Sequence, residues 1–236
     1  MITLLKRRGI SFINGMPILP SDSIYTDIPL MIETYAHRNG IPNNMKSHSL
    51  ISYFYDDSNL INRLLNVEKE LPVLKQYGGI CGFDLSPCIT MLRPRQKLSL
   101  LASALFNCYV AINGVKVLIN GRTGDLATMS CMDNVTKGSN MISGEIGCHG
   151  HEYRYYGRYQ LKLSVETVDP KILFICGYLS QKDIAYVCGN RDRVIIMYPG
   201  RRHRMRDNKK VVVIKYSNGE YYKCTLDEYL QKRGVC

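Results

Sequence analysis

No stretch of apolar residues in this 236-residue sequence approaches the roughly 20 that a membrane-spanning helix needs. The opening residues, MITLLKRRG, also hold too few apolar side chains ahead of their basic cluster for a secretory signal peptide. We therefore expect a cytoplasmic protein with no membrane partner. The length favours one main domain.

Closely spaced cysteine pairs are also missing. The nine cysteines are an odd number, no two of them form a CxxC motif, and several lie in apolar runs, such as Cys176 in KILFICG. This usage favours a reducing compartment, in which a buried cysteine acts as a small apolar side chain rather than as half of a disulfide.

Several catalytic signatures are absent as well. The sequence contains no Walker loop, no GxGxxG fingerprint, no HExxH and no serine nucleophile elbow. These absences disfavour P-loop phosphate binding, dinucleotide binding, zinc proteolysis and triad hydrolysis.

Positive charge, by contrast, is in excess. The chain has 31 Lys and Arg against 20 Asp and Glu, a formal net charge of +11, and the run GRRHRMRDNKK at 200–210 holds six of the basic residues against one Asp. Such a run attracts polyanions, most commonly nucleic acid, by counterion release. A solvated loop between two strands is an equally good interpretation. The residues predicted to contact nucleic acid are Arg201, Arg202, Arg204, Arg206, Lys209 and Lys210.

From about residue 48 onward, short apolar runs rich in β-branched and aromatic residues alternate with helical patterns. This alternation is typical of βα units and predicts an α/β fold with a mostly parallel sheet of about six strands, open or curled like a partial barrel. The apolar character of the strands suggests helices on both faces. The predicted strands lie in 50–57, 79–84, 115–120, 139–147, 169–177 and 193–200.

Two further segments flank this core, which we place at 48–199. Residues 1–47 are expected to form an extended or helical N-terminal segment. In 200–236, Asn218-Gly219 predicts a β-hairpin turn, and Thr225 with Glu228 forms the pattern of a helix capping box. We expect the basic run, the hairpin and the helix to pack on the core as an appendage.

Aspartates stand at the ends of two neighbouring predicted strands, where a parallel sheet collects its ligands. Asp56 and Asp57 follow the first strand and Asp84 the second. At a separation of roughly 5 to 10 Å, these carboxylates could hold Mg²⁺ or Mn²⁺ or divide acid and base roles. Asp57 has the alternative of capping the following helix, which its position favours. The predicted catalytic residues are Asp56, Asp57, Asp84 and Glu145, with Asp84 and Asp56 as metal ligands.

Two loops at the same edge are candidates for ligand binding. NGRTGD at 120–125 could cradle a phosphate with its backbone N–H groups and the Arg122 guanidinium, although an ordinary strand-to-helix turn has the same composition. GCHGHEYRYYGRY at 147–159 could hold a transition metal through Cys148 and its histidines. Its place after the fourth strand instead favours a wall of the cleft. The predicted ligand-binding residues are Ser86, Asn120, Gly121, Arg122, His149, His151, Tyr153 and Arg154.

Several short segments occur in the order typical of a known family. They are TDIPLM (26–31), YFYDD (53–57), GFDLS (82–86), VKVLIN (115–120), MISGEIG (141–147) and IIMYP (195–199). Over about 24–199 the chain resembles the uncharacterised family called domain of unknown function 4417, which is found in bacteria, their phages and mobile elements. The resemblance includes Asp56, Asp57, Asp84 and Ser86. It implies a phage or mobile-element setting, in a bacterial or phage-infected cell.

These observations leave alternative functions. In the first, the protein binds nucleic acid through its basic surface and, if a metal is held at the acidic cleft, processes it. In the second, it is an α/β enzyme or sequestering protein for a nucleotide or other small anionic ligand near Arg122. In the third, it is a host-interaction factor or virion component whose contact surface is the basic appendage.

Overall fold

The computed structural model of the protein describes residues 1–54, 56–144, 154–189, 191–199 and 211–233, without the side chains of Arg154 and Tyr155. Its helices are α1 (Ile2–Arg7), α2 (Asp57–Leu65), α3 (Val67–Leu74), α4 (Arg93–Ala111), α5 (Arg154–Val168), α6 (Gln181–Cys188) and α7 (Leu226–Lys232). Its strands are β1 (Phe12–Ile13), β2 (Met16–Pro17), β3 (Met31–Thr34), β4 (Ser49–Ser52), β5 (Gly79–Cys81), β6 (Val117–Asn120), β7 (Met141–Ser143), β8 (Ile172–Cys176), β9 (Arg193–Tyr198), β10 (Val212–Ser217) and β11 (Glu220–Thr225). No helix of the described ranges is both long and apolar enough to cross a bilayer.

Nine of these strands form one sheet in chain order, from β3 at one edge to β11 at the other. The strands from β3 to β9 are parallel, whereas β10 is antiparallel to β9 and β11 to β10. The sheet curls into a half-barrel. The predicted α/β class, with a mostly parallel, partly barrel-like sheet and a C-terminal hairpin and helix, is confirmed.

The strand order determines where the connecting helices lie. Because consecutive strands are neighbours and their crossovers share one hand, the helices pack on the same face of the sheet, here called the α4 face. Side chains alternate along each strand, so every second strand residue points to this face. The α4 face contains the strand residues Ile51, Ile80, Ile119, Met141, Leu173 and Ile195 and the helical residues Leu60, Phe106, Leu161 and Ile184.

The opposite face, here called the α7 face, carries the alternate strand residues. They are Leu50, Cys81, Leu118, Ile142, Phe174, Ile196 and Val213. Tyr25 from the N-terminal segment and Leu226, Tyr229 and Leu230 of α7 cover them. We expected helices on both faces. The connecting helices cover the α4 face, whereas α7 together with the N-terminal segment covers the α7 face.

The strongest local signals of the sequence are confirmed. Asn218 and Gly219, with φ of 52° and 82°, connect β10 to β11 with the left-handed backbone that a primed hairpin turn needs. Thr225 caps α7 in a complete capping box with Glu228. The short strand β3 differs from expectation: it lies in the N-terminal segment and pairs with β4, giving seven parallel strands instead of about six.

Candidate functional site

The carboxyl ends of the parallel strands meet along one edge of the sheet, here called the carboxyl edge. The chain that leaves β5 there contains Asp84, and β6 ends at Asn120, two residues before Arg122. The structure brings these three side chains into direct contact. Polar side chains from the ends of two neighbouring strands therefore lie together at this edge.

Asp84 is the centre of the site and is only 5% exposed. Its Oδ1 atom accepts a hydrogen bond of 2.9 Å from the Asn120 side-chain amide, and its Oδ2 atom accepts one of 2.7 Å from Nη1 of Arg122. Burial raises the pKa of Asp84 and exceeds the opposing effects of the Arg122 charge and the two hydrogen bonds, while Asp57 adds a smaller increase. The site is a buried carboxylate–guanidinium pair.

Asp57 connects two strand-end segments. The backbone N–H of Ser86 donates to its carboxylate, with both oxygens 3.2 Å from the nitrogen. The helix-capping role predicted for Asp57 is wrong, because α2 begins at this residue and Asp56 takes the N-cap position without a side-chain capping bond. The carboxylate of Asp57 is satisfied by the loop of the neighbouring strand instead.

The loop 120–125 is held by side chains from the helices around it. Gln96 of α4, 1% exposed, accepts a hydrogen bond of 2.6 Å from the backbone N–H of Asp125. Thr128 accepts one of 2.9 Å from the N–H of Gly124 through its hydroxyl. Gln160 of α5 donates to the carbonyl of Gly124. The loop is therefore fixed by three side chains that lie outside it.

The hydrogen bonds that fix the loop reduce the number of N–H groups available to the predicted phosphate cradle. The N–H of Gly121 donates to the Ile142 carbonyl at 2.8 Å, and those of Gly124 and Asp125 donate to side chains as described above. A Cβ atom at Gly124 would lie 2.0 Å from Oε1 of Gln96, so glycine is required by close packing there. Three N–H groups of the loop are thus not available to an anion, and the Arg122 guanidinium already donates to Asp84.

Two cavities open beside Arg122. The first, of about 100 Å³, lies between α4, the segment 126–136 and the ends of β5 and β6, and is called the α4 cavity. The second, of about 140 Å³, lies between the segment 87–90 and the start of α5, and is called the α5 cavity. Pro87 and Arg122 line both. Arg122, whose side chain is 26% exposed, therefore stands at the border of two spaces that could take a ligand.

The residues at Asp84 do not fit the predicted Mg²⁺ or Mn²⁺ centre. In the part of the chain that the structure describes, no three His, Cys, Asp or Glu side chains are grouped as metal ligands. Both oxygens of Asp84 already accept hydrogen bonds, one of them from a guanidinium, and Asp56 lies exposed at the start of α2. A divalent cation at Asp84 would have to compete with the Arg122 guanidinium for the same carboxylate.

Other predicted residues lie outside the described ranges. These are Glu145, Cys148, His149, His151 and Tyr153, the side chain of Arg154, and the basic residues Arg201, Arg202, Arg204, Arg206, Lys209 and Lys210. The strands that precede residues 145–153 and 200–210 are described: β7 ends at Ser143 and β9 at Tyr198. Both strand ends lie at the carboxyl edge, as Asp84 does.

Polar side chains of α4 that hold the site were not identified from the sequence. The Ser103 hydroxyl accepts a hydrogen bond of 3.1 Å from the Leu85 N–H, and the side-chain carbonyl of Asn107 accepts one of 2.8 Å from the Phe83 N–H. These two side chains fix the chain on either side of Asp84, while Gln96 fixes the loop at Asp125. Polar residues within the apolar stretch that forms α4 indicate that such contacts exist, because buried polar groups need partners, but they do not indicate which residues make them.

The fold and the site together define an α/β half-barrel protein with a buried carboxylate–guanidinium pair at its carboxyl edge. A model of the family described as domain of unknown function DUF4417 matches residues 34–199. The chain belongs to this family, and the resemblance read from the sequence is confirmed. No curated protein and no solved structure matches the chain.

Proposed function

We propose that this protein binds nucleic acid at the carboxyl edge of its sheet. The observation that carries the proposal is where the basic run 200–210 is attached. It follows β9 and precedes the antiparallel β10, whose Val212 is paired with Met197. The described residues on either side of the run, Pro199 and Val211, therefore lie at the edge that holds Asp84 and Arg122. The run supplies six of the basic residues in a chain of net charge +11.

The spacing of the strands supports a binding surface that extends along this edge. Neighbouring strands lie about 4.8 Å apart, so the end of β6 beside Arg122 and the end of β9 are separated by about 14 Å. A nucleic-acid backbone crossing this distance would have Arg122 near one end and the basic run near the other. Positive groups along such a path favour binding through counterion release from the phosphates.

The site favours binding over metal-assisted cleavage. Two-metal and one-metal nucleases need carboxylates that are free to coordinate the cation, whereas Asp84 is paired with Arg122 and Asp57 accepts from the Ser86 N–H. The proposal is therefore for a binding protein. The phage or mobile-element setting and the cytoplasmic location stay predictions from the sequence.

Binding can be tested by fluorescence anisotropy with a labelled single-stranded oligonucleotide. If about six phosphates are neutralised, the slope of the logarithm of affinity against that of salt should be about −4, so affinity should fall by two to three orders of magnitude between about 50 and about 200 mM salt. Absence of binding at the lower salt concentration would refute the proposal.

A matched pair of variants separates the basic run from net charge. Arg201→Gln/Arg202→Gln/Arg204→Gln removes three charges from the run. Lys75→Gln/Lys137→Gln/Lys171→Gln removes three exposed charges that precede β5, β7 and β8, at the opposite edge of the sheet. We expect the first variant to lose affinity and flatten the salt slope, and the second to bind almost as tightly as the wild type. Equal losses would mean that binding depends on net charge alone.

The two cavities favour a second candidate, a small anionic ligand held beside Arg122. The α5 cavity is lined by Arg122 and by Tyr156 and Gln160 of α5, so it combines a cation with hydrogen-bonding side chains. A screen of nucleotides by thermal unfolding tests this candidate. We expect a shift in melting temperature that is smaller in Arg122→Lys than in the wild type. A flat screen would count against it.

A further inference from the structure

The α4 cavity has apolar walls and a polar end. Its walls include Ile24, Leu100, Ala104 and Val135. Asp84, Ser103, Asn107, Asn120 and Arg122 also line it. The cavity reaches the carboxyl edge, because Asp84 and Arg122 lie there. A ligand part that enters it from this edge would leave its remaining atoms beside Arg122.

The size of the cavity limits what can enter. A cavity of roughly 150 Å³ lined by aliphatic and aromatic side chains is enough for one benzene ring. The α4 cavity, at about 100 Å³, is smaller but open on one side. It therefore cannot enclose the fused rings of a purine, whereas a single six-membered ring can enter it in part from the open side.

Besides the Asp84–Arg122 pair, three side chains at the polar end carry hydrogen-bonding groups: Asn107, Ser103 and Asn120. The side-chain Oδ1 of Asn120 is buried and accepts no hydrogen bond from the residues that the structure describes. The carbonyl oxygen of Asn107 and the hydroxyl oxygen of Ser103 accept from backbone N–H groups. Asn107 also carries amide N–H donors, and Ser103 a hydroxyl donor, and both residues line the cavity. No bond between described residues uses these donors.

This set complements one kind of pyrimidine. Thymine and uracil present one N–H donor between two carbonyl acceptors, whereas cytosine presents one amino group and two acceptors. A base of this kind would donate its ring N–H to the buried Oδ1 of Asn120 and would accept, through its two carbonyls, from the Asn107 amide and the Ser103 hydroxyl. A ligand N–H that satisfies a buried acceptor contributes to binding.

We propose that the α4 cavity binds one unstacked thymine or uracil base of a single-stranded nucleic acid. This inference rests on the proposed function, because the strand itself is held at the carboxyl edge by the basic run and passes beside Arg122. The base supplies a preference for pyrimidine sequence, while the backbone contacts supply most of the affinity.

The test compares three labelled oligonucleotides of about 15 nucleotides, long enough to cross the edge. One is oligo(dT), one is oligo(dC), and one carries abasic sites throughout and so has the backbone alone. We expect the wild type to bind oligo(dT) about tenfold more tightly than the abasic strand, with oligo(dC) between them.

Two variants of α4 identify the cavity as the base site. Ala104→Leu narrows the α4 cavity, and Ala102→Leu makes the same change two residues away, where the helix lines a groove near Leu64 and Val67. Thermal unfolding checks that both are folded. We expect Ala104→Leu to bind oligo(dT) as weakly as the abasic strand, with its abasic affinity unchanged, and Ala102→Leu to behave like the wild type.

The outcomes separate the two proposals. Equal binding of oligo(dT) and the abasic strand by the wild type overturns the base site while leaving nucleic-acid binding intact. An unchanged preference for oligo(dT) in Ala104→Leu also overturns it. Failure of the wild type to bind any of the three strands at low salt overturns the proposed function, and with it this inference.

Discussion

The Nη1 atom of Arg122 lies 2.7 Å from the Oδ2 atom of Asp84, a carboxylate that is 5% exposed. The two residues come from the ends of neighbouring strands and are 38 positions apart in the chain. The hydrogen bond from Arg122 replaces one that the carboxylate loses to water on burial. Losing one partner of such a pair costs more than losing both, because the remaining charge is then buried alone.

Arg122→Met should lower the free energy of unfolding by about 3 kcal/mol, at the lower end of the range for buried pairs because Arg122 keeps some contact with water. The double variant Arg122→Met/Asp84→Leu should recover part of this loss. Urea unfolding at neutral pH measures both. Arg93→Met is the control, since Arg93 is 69% exposed where it pairs with Asp125, and such pairs contribute at most about 1 kcal/mol. A double variant less stable than Arg122→Met would contradict the pairing.

The loss in Arg122→Met should also depend on pH. Burial raises the folded-state pKa of Asp84 above its value of 3.8 in the unfolded chain. The contribution of this carboxyl group to the free energy of unfolding is therefore largest below pH 3.8 and is lost as the pH rises through the folded-state pKa. Arg122 limits this increase in pKa. The difference in free energy of unfolding between wild type and variant should therefore be smaller near pH 4 than near pH 7. A difference that is equal at both pH values would mean that Arg122 acts through packing alone.

Gly124→Ala should destabilise the protein by about 1 to 3 kcal/mol, the usual cost of overpacking. The new Cβ atom would lie 2.0 Å from Oε1 of Gln96, which is buried and already bonded to the Asp125 N–H. Gly40→Ala is the matched control, since a Cβ atom there has no neighbour within 4 Å. Thermal or urea unfolding measures both. Equal stability of the two variants would show that the loop 120–125 can move away from α4.

Tyr229→Ala should lower the free energy of unfolding by about 3 kcal/mol, as expected for a large buried ring. Tyr229 is 3% exposed on the α7 face, whereas Tyr222 on β11 is 60% exposed. Tyr222→Ala should therefore change stability little. If the two substitutions have the same effect, α7 does not cover the sheet in solution.

Three buried thiols should resist modification in the folded protein. Burial raises the pKa of Cys108 to about 12 and that of Cys188 to about 11, and it also raises the pKa of Cys81. The reactive thiolate is thus scarce at pH 8. Titration with a disulfide reagent should leave at least these three cysteines unmodified in the native state and should react with all nine after denaturation. Rapid native reaction of all nine would contradict the burial.

The features that could be predicted from the sequence are those specified by neighbouring residues. The Asn218-Gly219 turn, the capping boxes at Ser180 and Thr225, and the long helix α4 each depend on residues a few positions apart. Strand β3 could not be predicted in this way. Its four residues are too short to show a period, and its pairing with β4 supplies the missing stabilisation.

The residues of the candidate site could also be predicted only in part. Strand ends and their residue types indicated Asp84, Asn120 and Arg122, because parallel strands place their carboxyl ends together. The same reasoning misjudged Asp57, whose partner Ser86 belongs to the loop after the next strand. It also could not find Gln96 or Asn107, since nothing in the sequence of α4 tells which of its polar residues face the sheet.

By itself, the sequence determined the α/β class and the curled parallel sheet as one option, and it predicted the strand ends as the place of the candidate site. Those conclusions follow from hydrophobic periodicity and turn chemistry, which are local. Only the tertiary structure decided that Arg122 neutralises Asp84, that α7 covers one face, and that a cavity opens beside α4. Each of these depends on the packing of elements distant in sequence, where burial sets the cost of an unpaired charge and excluded volume sets the space left open.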